Sequence, residues 1–461
     1  MKIRFSIILF LALLGISAAI DLNNLFDYEA QTTPGFITND NTPTDNQIRN
    51  EIATLGRVLF YDKKMSLFDN VACASCHMQE FGFSDTARLS VGFDGGRTGR
   101  HSMRLSHARF GDERRFFWDK RASSLEDQST QPIQDFIEMG FSGSNGQPDL
   151  DSLISKLSKL DYYNSLFTLA FGDSNITEDR MQKALAQFVR SIQSFDSKYD
   201  QGRVQVNDDQ TDFPNYSTEE NQGKDLFMSP PPLGGAGCAG CHNPPEFDID
   251  PNSRNNGVIE DASNSALTDF TNTRSPTLRD LFNPAGDLNG PLMHNGNFST
   301  MLDVINHYNS IFIDQQNPNL DNRLMGPGGL GQQLNLRQNE KDALIAFLKT
   351  LTSNELYTAE QWSDPFDAQG NLDWVDISTN VYHNTEEFVR IYPNPIRSSL
   401  TIESSSKGSN ILIYDAFGKL IWQDQASEYR HEINSQSFPS GTLVIRIESG
   451  GNIKLIKALK I

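Results

Sequence analysis

Cys73-Ala74-Ser75-Cys76-His77 and Cys238-Ala239-Gly240-Cys241-His242 are one pattern, C-x-x-C-H, written twice, and together they use all four cysteines of the 461-residue chain. The spacing has a chemical reason. Two thiols three positions apart can add to the two vinyl groups of one haem, and the adjacent imidazole then falls beneath the iron as its proximal ligand. A structural zinc ion would gather four ligands around one metal, and a redox dithiol does not need the following His. The pattern therefore points to two covalently bound haem c groups, one on Cys73, Cys76 and His77, the other on Cys238, Cys241 and His242.

The flanks repeat as well. Gly56-Arg57-Val58-Leu59-Phe60 precedes the first motif and Gly223-Lys224-Asp225-Leu226-Phe227 the second, each placed as the end of a helix that leads into a haem loop. Glycines crowd both loops: Gly95, Gly96 and Gly99 after the first motif, Gly234, Gly235 and Gly237 before the second. Between the units, Met181, Leu185, Phe188, Val189, Ile192, Phe195 and Tyr199 fall at helical spacing and are expected to be core. A final helix is predicted over residues 340–351. The expected fold is mainly α, with two tandem cytochrome c-type haem domains at residues 45–200 and 215–353.

Composition narrows the function. Hydrophobic residues make up 37% and charged residues 21%, a normal balance for a soluble chain with real cores. The net charge of −20 argues against nucleic acid as a partner, because that needs basic surface. The first 19 residues pair Lys2 and Arg4 with a short apolar run and then Ser17, Ala18 and Ala19, the pattern of a cleaved secretory signal. No later segment approaches the length of a membrane span, so none is expected after cleavage. Residues 354–387 read as a polar linker. From 388 to 461, short β-type runs at 400–402, 411–414, 419–422 and 442–447 alternate with turn residues and predict a small C-terminal β-sandwich. Tyr392-Pro393-Asn394-Pro395, Ile413-Tyr414-Asp415, Gly418-Lys419, Pro439-Ser440-Gly441 and the lysines Lys454 and Lys457 resemble, in that order, the C-terminal sorting domain of type IX secretion. That resemblance implies a periplasmic stage and then a secreted or cell-surface protein.

The segment Arg114-Arg115-Phe116-Phe117-Trp118-Asp119-Lys120-Arg121-Ala122-Ser123-Ser124-Leu125-Glu126-Asp127-Gln128 is followed by Pro132 and by Glu138-Met139-Gly140. With Ser275-Pro276-Thr277-Leu278-Arg279 and Pro291-Leu292-Met293-His294-Asn295-Gly296, it resembles the bacterial di-haem cytochrome c peroxidase family, which includes the MauG-like oxidases. The resemblance spans residues 45–353. It implies a peroxidatic first haem on His77 and an electron-transfer second haem on His242. In many members a His closes the first iron at rest; Phe93 stands at that position here and cannot ligate iron, so the first haem is expected to be five-coordinate. Met78, His101, Met103 and His107 are the residues that could close it instead. Over the open iron the family places a Gln and a Glu, here Gln128 and Glu138. A carboxyl held in a dry pocket can move a proton between the two peroxide oxygens, since burial raises its pKa toward the working pH.

At the second haem the position of the far ligand is Tyr308, as in the MauG-like branch, with Met293, Met301, Met325 and His307 as alternatives. An oxygen ligand there would favour oxidised iron. Trp118 matches a Trp that relays electrons between the haems. The family's Ca²⁺ site would fall on His101, Asn289 and Pro291, and His is a poor ligand for a hard cation. The resemblance thus implies a peroxidase that reduces hydrogen peroxide with electrons from a small donor such as a cytochrome c; family members are often homodimers. Two rivals stand beside it: a MauG-like oxidase of a protein or small molecule, which Phe93 and Tyr308 favour, and a di-haem electron carrier, which the lack of a His at position 93 disfavours.

Overall fold

A computed structural model describes residues 20–372, 374–375, 389–404, 408–416, 418–449 and 452–461. The predicted signal segment 1–19 lies outside these. The chain divides into two units, Met1–Ile377 and Ser378–Ile461. Among the described residues the helices, all in the first unit, are α1 (Asn50–Tyr61), α2 (Leu125–Ser129), α3 (Leu150–Leu157), α4 (Asp161–Phe171), α5 (Glu178–Ser191), α6 (Lys198–Arg203), α7 (Thr218–Met228), α8 (Met301–Asn309), α9 (Gln338–Lys349) and α10 (Glu355–Thr358).

The repeated glycines explain the repeated helix pairs. A Cβ on Gly56 would lie 2.0 Å from the Ala184 carbonyl oxygen, and one on Gly223 would lie 1.9 Å from that of Ala343. Only glycine lets α1 cross α5, and α7 cross α9, at backbone contact. Four residues beyond each glycine an aromatic ring seals the crossing: Phe60 packs on Phe188 and Phe227 on Phe347, both with centroids 5.2 Å apart. Starts of these helices are fixed locally. Thr177 caps α5, and Ser217 with Glu220 forms a capping box on α7.

Two apolar cores result. The first gathers α1, α3, α4 and α5; the second gathers α7, α8 and α9 with Tyr199 and Phe213. The predicted stripe from Met181 therefore does not run on one helix. α5 stops at Ser191, Phe195 packs on His107 and Phe110, and Tyr199 joins the second core. Periodicity survived the break because these residues are shielded by different partners.

The stretch read as a linker from residue 354 also differs. Leu356 and Trp362 are buried in the first core. Tyr61 Oη donates to the Trp362 carbonyl at 2.6 Å, and Arg57 Nε donates to the Ser363 carbonyl at 2.7 Å. Two apolar anchors in polar surroundings carry no periodic signal. Short strands β1 (Ile20–Asp21) and β4 (Trp374–Val375) pair in parallel at the edge of this unit, and β2 (His242–Asn243) pairs with β3 (Asp248–Ile249) beyond the second motif. Among the described residues no helix is long and apolar enough to cross a membrane.

The described residues of the second unit form only strands: β5 (Val389–Tyr392), β6 (Ser399–Ser404), β7 (Ser409–Tyr414), β8 (Leu420–Ala426), β9 (Arg430–Asn434), β10 (Gly441–Ser449) and β11 (Asn452–Lys460). They form antiparallel sheets in the orders β5-β6-β9 and β11-β10-β7-β8. Alternate residues of both sheets, among them Leu400, Ile402, Ile433, Ile411, Ile413, Leu443 and Ile445, close on one core.

Candidate functional site

Each C-x-x-C-H motif begins as a single 3-10 turn, Cys73–Ser75 and Cys238–Gly240, which places both thiols and the imidazole on one wall of a cavity. His77 Nδ1 lies 3.2 Å from the Phe83 carbonyl oxygen and 3.1 Å from Ser102 Oγ, whose hydroxyl donates to the Cys76 carbonyl at 2.6 Å. His242 Nδ1 lies 3.3 Å from the Phe247 carbonyl oxygen. Phe83 and Phe247 both adopt left-handed backbone, which turns these carbonyls back toward the imidazoles. With Nδ1 holding the proton, Nε2 is left as the metal-binding atom. Burial lowers the His77 pKa and takes that of His242 down to about 4, so both rings are neutral, the ligating form.

Burial also pushes the thiols of Cys73 and Cys238 up to about 12 and those of Cys76 and Cys241 to about 11. These are not the acidic thiols of a redox pair, and no disulfide links them. Among the described residues no cluster of three or more His, Cys, Asp or Glu side chains could hold a bare metal ion.

The first cavity is lined by Cys73, Cys76 and His77 and, from later in the chain, by Gln128, Pro132 and Glu138. The elements that bring them in can be traced. Ser124 caps α2 by accepting the Asp127 N–H. Glu126, on the same helix, accepts both guanidinium nitrogens of buried Arg190 on α5, at 2.5 and 3.1 Å. That fork fixes the helix carrying Gln128. Asp135 Oδ1 accepts the N–H groups of Ile137 and Glu138 at 2.7 and 2.9 Å, and the Glu138 carbonyl accepts the Phe93 N–H at 3.0 Å. Glu138 is pushed up to about 7, first by burial, then by repulsion from Asp135, against the pull of Arg121.

Phe93 does not line this cavity. Its ring packs on Phe68, with centroids 4.9 Å apart, and against Gly140. Met78, His101, Met103 and His107, the residues that could have closed the site, do not line it either. His107 Nδ1 is instead 3.1 Å from Glu246 Oε2 in the buried interior.

The second cavity is larger and includes Cys238, Cys241, His242, Met293, Met301 and Tyr308. Tyr308 is on α8, whose start is held by a Thr300–Asp303 capping box. Met325 and His307 do not line the cavity; Met325 is exposed, and His307 Nε2 bonds the Asn256 carbonyl at 2.9 Å. Burial raises the Tyr308 pKa, partly offset by a hydrogen bond from Asn256. Trp118 lines this cavity, not the first. Its Nε1 donates to the His101 carbonyl at 2.7 Å, and its own carbonyl accepts the Arg274 N–H at 2.7 Å.

Both cavities fit a covalently held porphyrin: each exposes two thiols and a neutral imidazole to a largely apolar space. In the second, Arg104 and Arg274 supply a further sign that no motif gave. Both line the cavity, and the Nε of each is buried without a hydrogen-bond partner. An anionic propionate would supply the missing acceptor. The resemblance had placed a calcium ligand at His101, but its Nδ1 points at the carbonyl oxygens of Ala87 and Arg88, 3.1 and 3.2 Å away. Asn289 Nδ2 donates to the Asp280 carbonyl and to Tyr357 Oη.

Known proteins resemble this chain. The profile of the di-haem cytochrome c peroxidase family matches residues 50–209, and that of the secretion system C-terminal sorting domain matches residues 390–461. The methylamine utilization protein MauG of Methylophilus methylotrophus is 30% identical over 320 residues, covering 68% of this chain and 86% of that protein. The cytochrome c551 peroxidase of Nitrosomonas europaea is 25% identical over 324 residues, covering 66% and 81%. The crystal structure of a MauG-like protein associated with microbial copper homeostasis superposes with a TM-score of 0.57 at 27% identity, covering 72% of this chain and 98% of that one. The chain belongs to the di-haem cytochrome c peroxidase family, in its MauG-like part, and ends in a type IX sorting domain.

Proposed function

We propose that this protein is an exported peroxidase that reduces hydrogen peroxide to water at the cavity of His77, drawing two electrons from an external donor such as a small cytochrome c. The observation that carries the proposal is the meeting of Glu138, Gln128 and Pro132 with Cys73, Cys76 and His77 in one cavity. Haem c bound at each motif supplies the one-electron chemistry. Glu138, with a pKa of about 7, can accept a proton from one peroxide oxygen and deliver it to the other, so that the departing oxygen leaves as water. The Gln128 amide orients the peroxide for that transfer. Trp118, on the wall of the second cavity and bonded to the His101 carbonyl, is the proposed relay between the two sites. Two domains, residues 45–200 and 215–353, are proposed to hold one haem each. The leader and the sorting domain would carry the enzyme through the periplasm to the cell surface or the medium.

The test is stopped-flow mixing of the oxidised holoprotein with peroxide, followed by steady-state turnover with a reduced cytochrome c. Rapid spectral change and turnover support the proposal; inertness toward peroxide removes it. A second reading, a MauG-like oxidase of a protein or small organic substrate, is favoured by Tyr308 on the wall of the second cavity. Peroxide reactivity with no turnover of any small cytochrome, together with oxidised side chains on a trapped substrate, would select it.

A further inference from the structure

Among the side chains of the second cavity able to cap an iron, the Tyr308 hydroxyl and the Met293 thioether share one neighbour, a single amide that reaches both. Asn256 Nδ2 lies 3.4 Å from Tyr308 Oη and 3.6 Å from Met293 Sδ. The amide is not free to turn over, because its Oδ1 accepts the Val258 N–H at 3.1 Å. Its backbone is pinned too: His307, the neighbour of Tyr308 on α8, bonds the Asn256 carbonyl at 2.9 Å. Asn256 is thus tied to the helix that carries the phenol. Met293 adds an independent observation. It is left-handed, with φ 65°, a conformation that a non-glycine residue keeps only when its surroundings enforce it.

We propose that Asn256 is a positioning residue that selects the sixth ligand of the second haem, holding Tyr308 as the ligand and Met293 in reserve. The proposal rests on the cavity of His242 being a haem site. A donor aimed at the phenol oxygen orients it, as outer hydrogen bonds orient metal ligands generally. The same donor occupies the weakly accepting sulfur. Oxygen and thioether ligands differ in the oxidation state they favour, so the choice sets the potential of this haem.

The test uses the full-length holoprotein, oxidised, in four forms: wild type, Asn256→Leu, Asn256→Asp and Tyr308→Phe. Asn256→Asp keeps the shape of the side chain but lacks the Nδ2 donor, which guards against a folding artefact in the leucine variant. Losing the donor should move the tyrosine-to-methionine ratio about three- to tenfold. Both Asn256 variants should gain the long-wavelength absorption of a thioether–iron bond, and in Asn256→Leu, which adds no charge, the second haem's potential should rise by up to about 59 mV, a tenfold change for one electron. Adding Met293→Leu should abolish both effects. If Tyr308→Phe alters the spectrum and potential while both Asn256 variants match wild type, the role of Asn256 is refuted and Tyr308 stands as ligand. If Tyr308→Phe also matches wild type, the ligand assignment itself fails, and the proposal with it.

Discussion

Replacing Glu138 with Gln should slow the reaction with peroxide and stabilise the protein at once. Folding moves this carboxyl from 4.5 to about 7. The folded state therefore holds the proton more tightly than the unfolded one, and stability falls as pH rises from about 4.5 through about 7. Above that range the charged carboxylate carries a cost of about 3 kcal/mol. Glutamine fits the same space without ionising. Glu138→Gln should thus gain up to about 3 kcal/mol at pH 8.5 and close to nothing at pH 4.5, read from urea midpoints at the two values. In stopped-flow its rate of reaction with peroxide should fall by about 10²–10⁴, the usual worth of a positioned acid–base group. The wild-type rate should bend near pH 7 and the variant's should not. A variant with wild-type rate and pH profile, or one equally destabilised at both pH values, would refute the assignment of Glu138.

Alanine at Gly56 or Gly223 should destabilise by about 1–3 kcal/mol or more, since the added Cβ meets a carbonyl oxygen at 2.0 or 1.9 Å; thermal denaturation reads this directly. Arg190→Met leaves Glu126, half-buried on α2, without its guanidinium partner and should cost about 1–3 kcal/mol, with a further loss of peroxide reactivity as Gln128 shifts. Because one remaining thioether would still hold a haem, the double variants Cys73→Ser/Cys76→Ser and Cys238→Ser/Cys241→Ser should each halve the haem that remains bound after acid–acetone extraction.

Much of this was legible because it is local. The cysteine motifs, the helix glycines and the aromatic four places beyond each glycine lie within short windows, and the physical need at each is steric or covalent. The position of Glu138 beside Gln128 followed from resemblance and not from any pattern of their own; the structure accounts for it through the Glu126–Arg190 fork and the Asp135 turn. What stayed hidden depends on long-range contact. Tyr61 and Trp362 bond to each other although 301 positions separate them in the sequence. Sequence spacing could not tell that Met325 is exposed while Met293 faces the second cavity, or that Asn256 ties Met293 to Tyr308. The orphaned Nε atoms of Arg104 and Arg274 are likewise visible only once the cavity exists.

The functional proposal depends on one haem being open to peroxide and its twin being capped. Electron paramagnetic resonance of the untreated oxidised holoprotein tests this most directly. One high-spin signal, lost on adding cyanide, beside one low-spin signal altered by Tyr308→Phe is the expected result. Two low-spin signals indifferent to cyanide would contradict it.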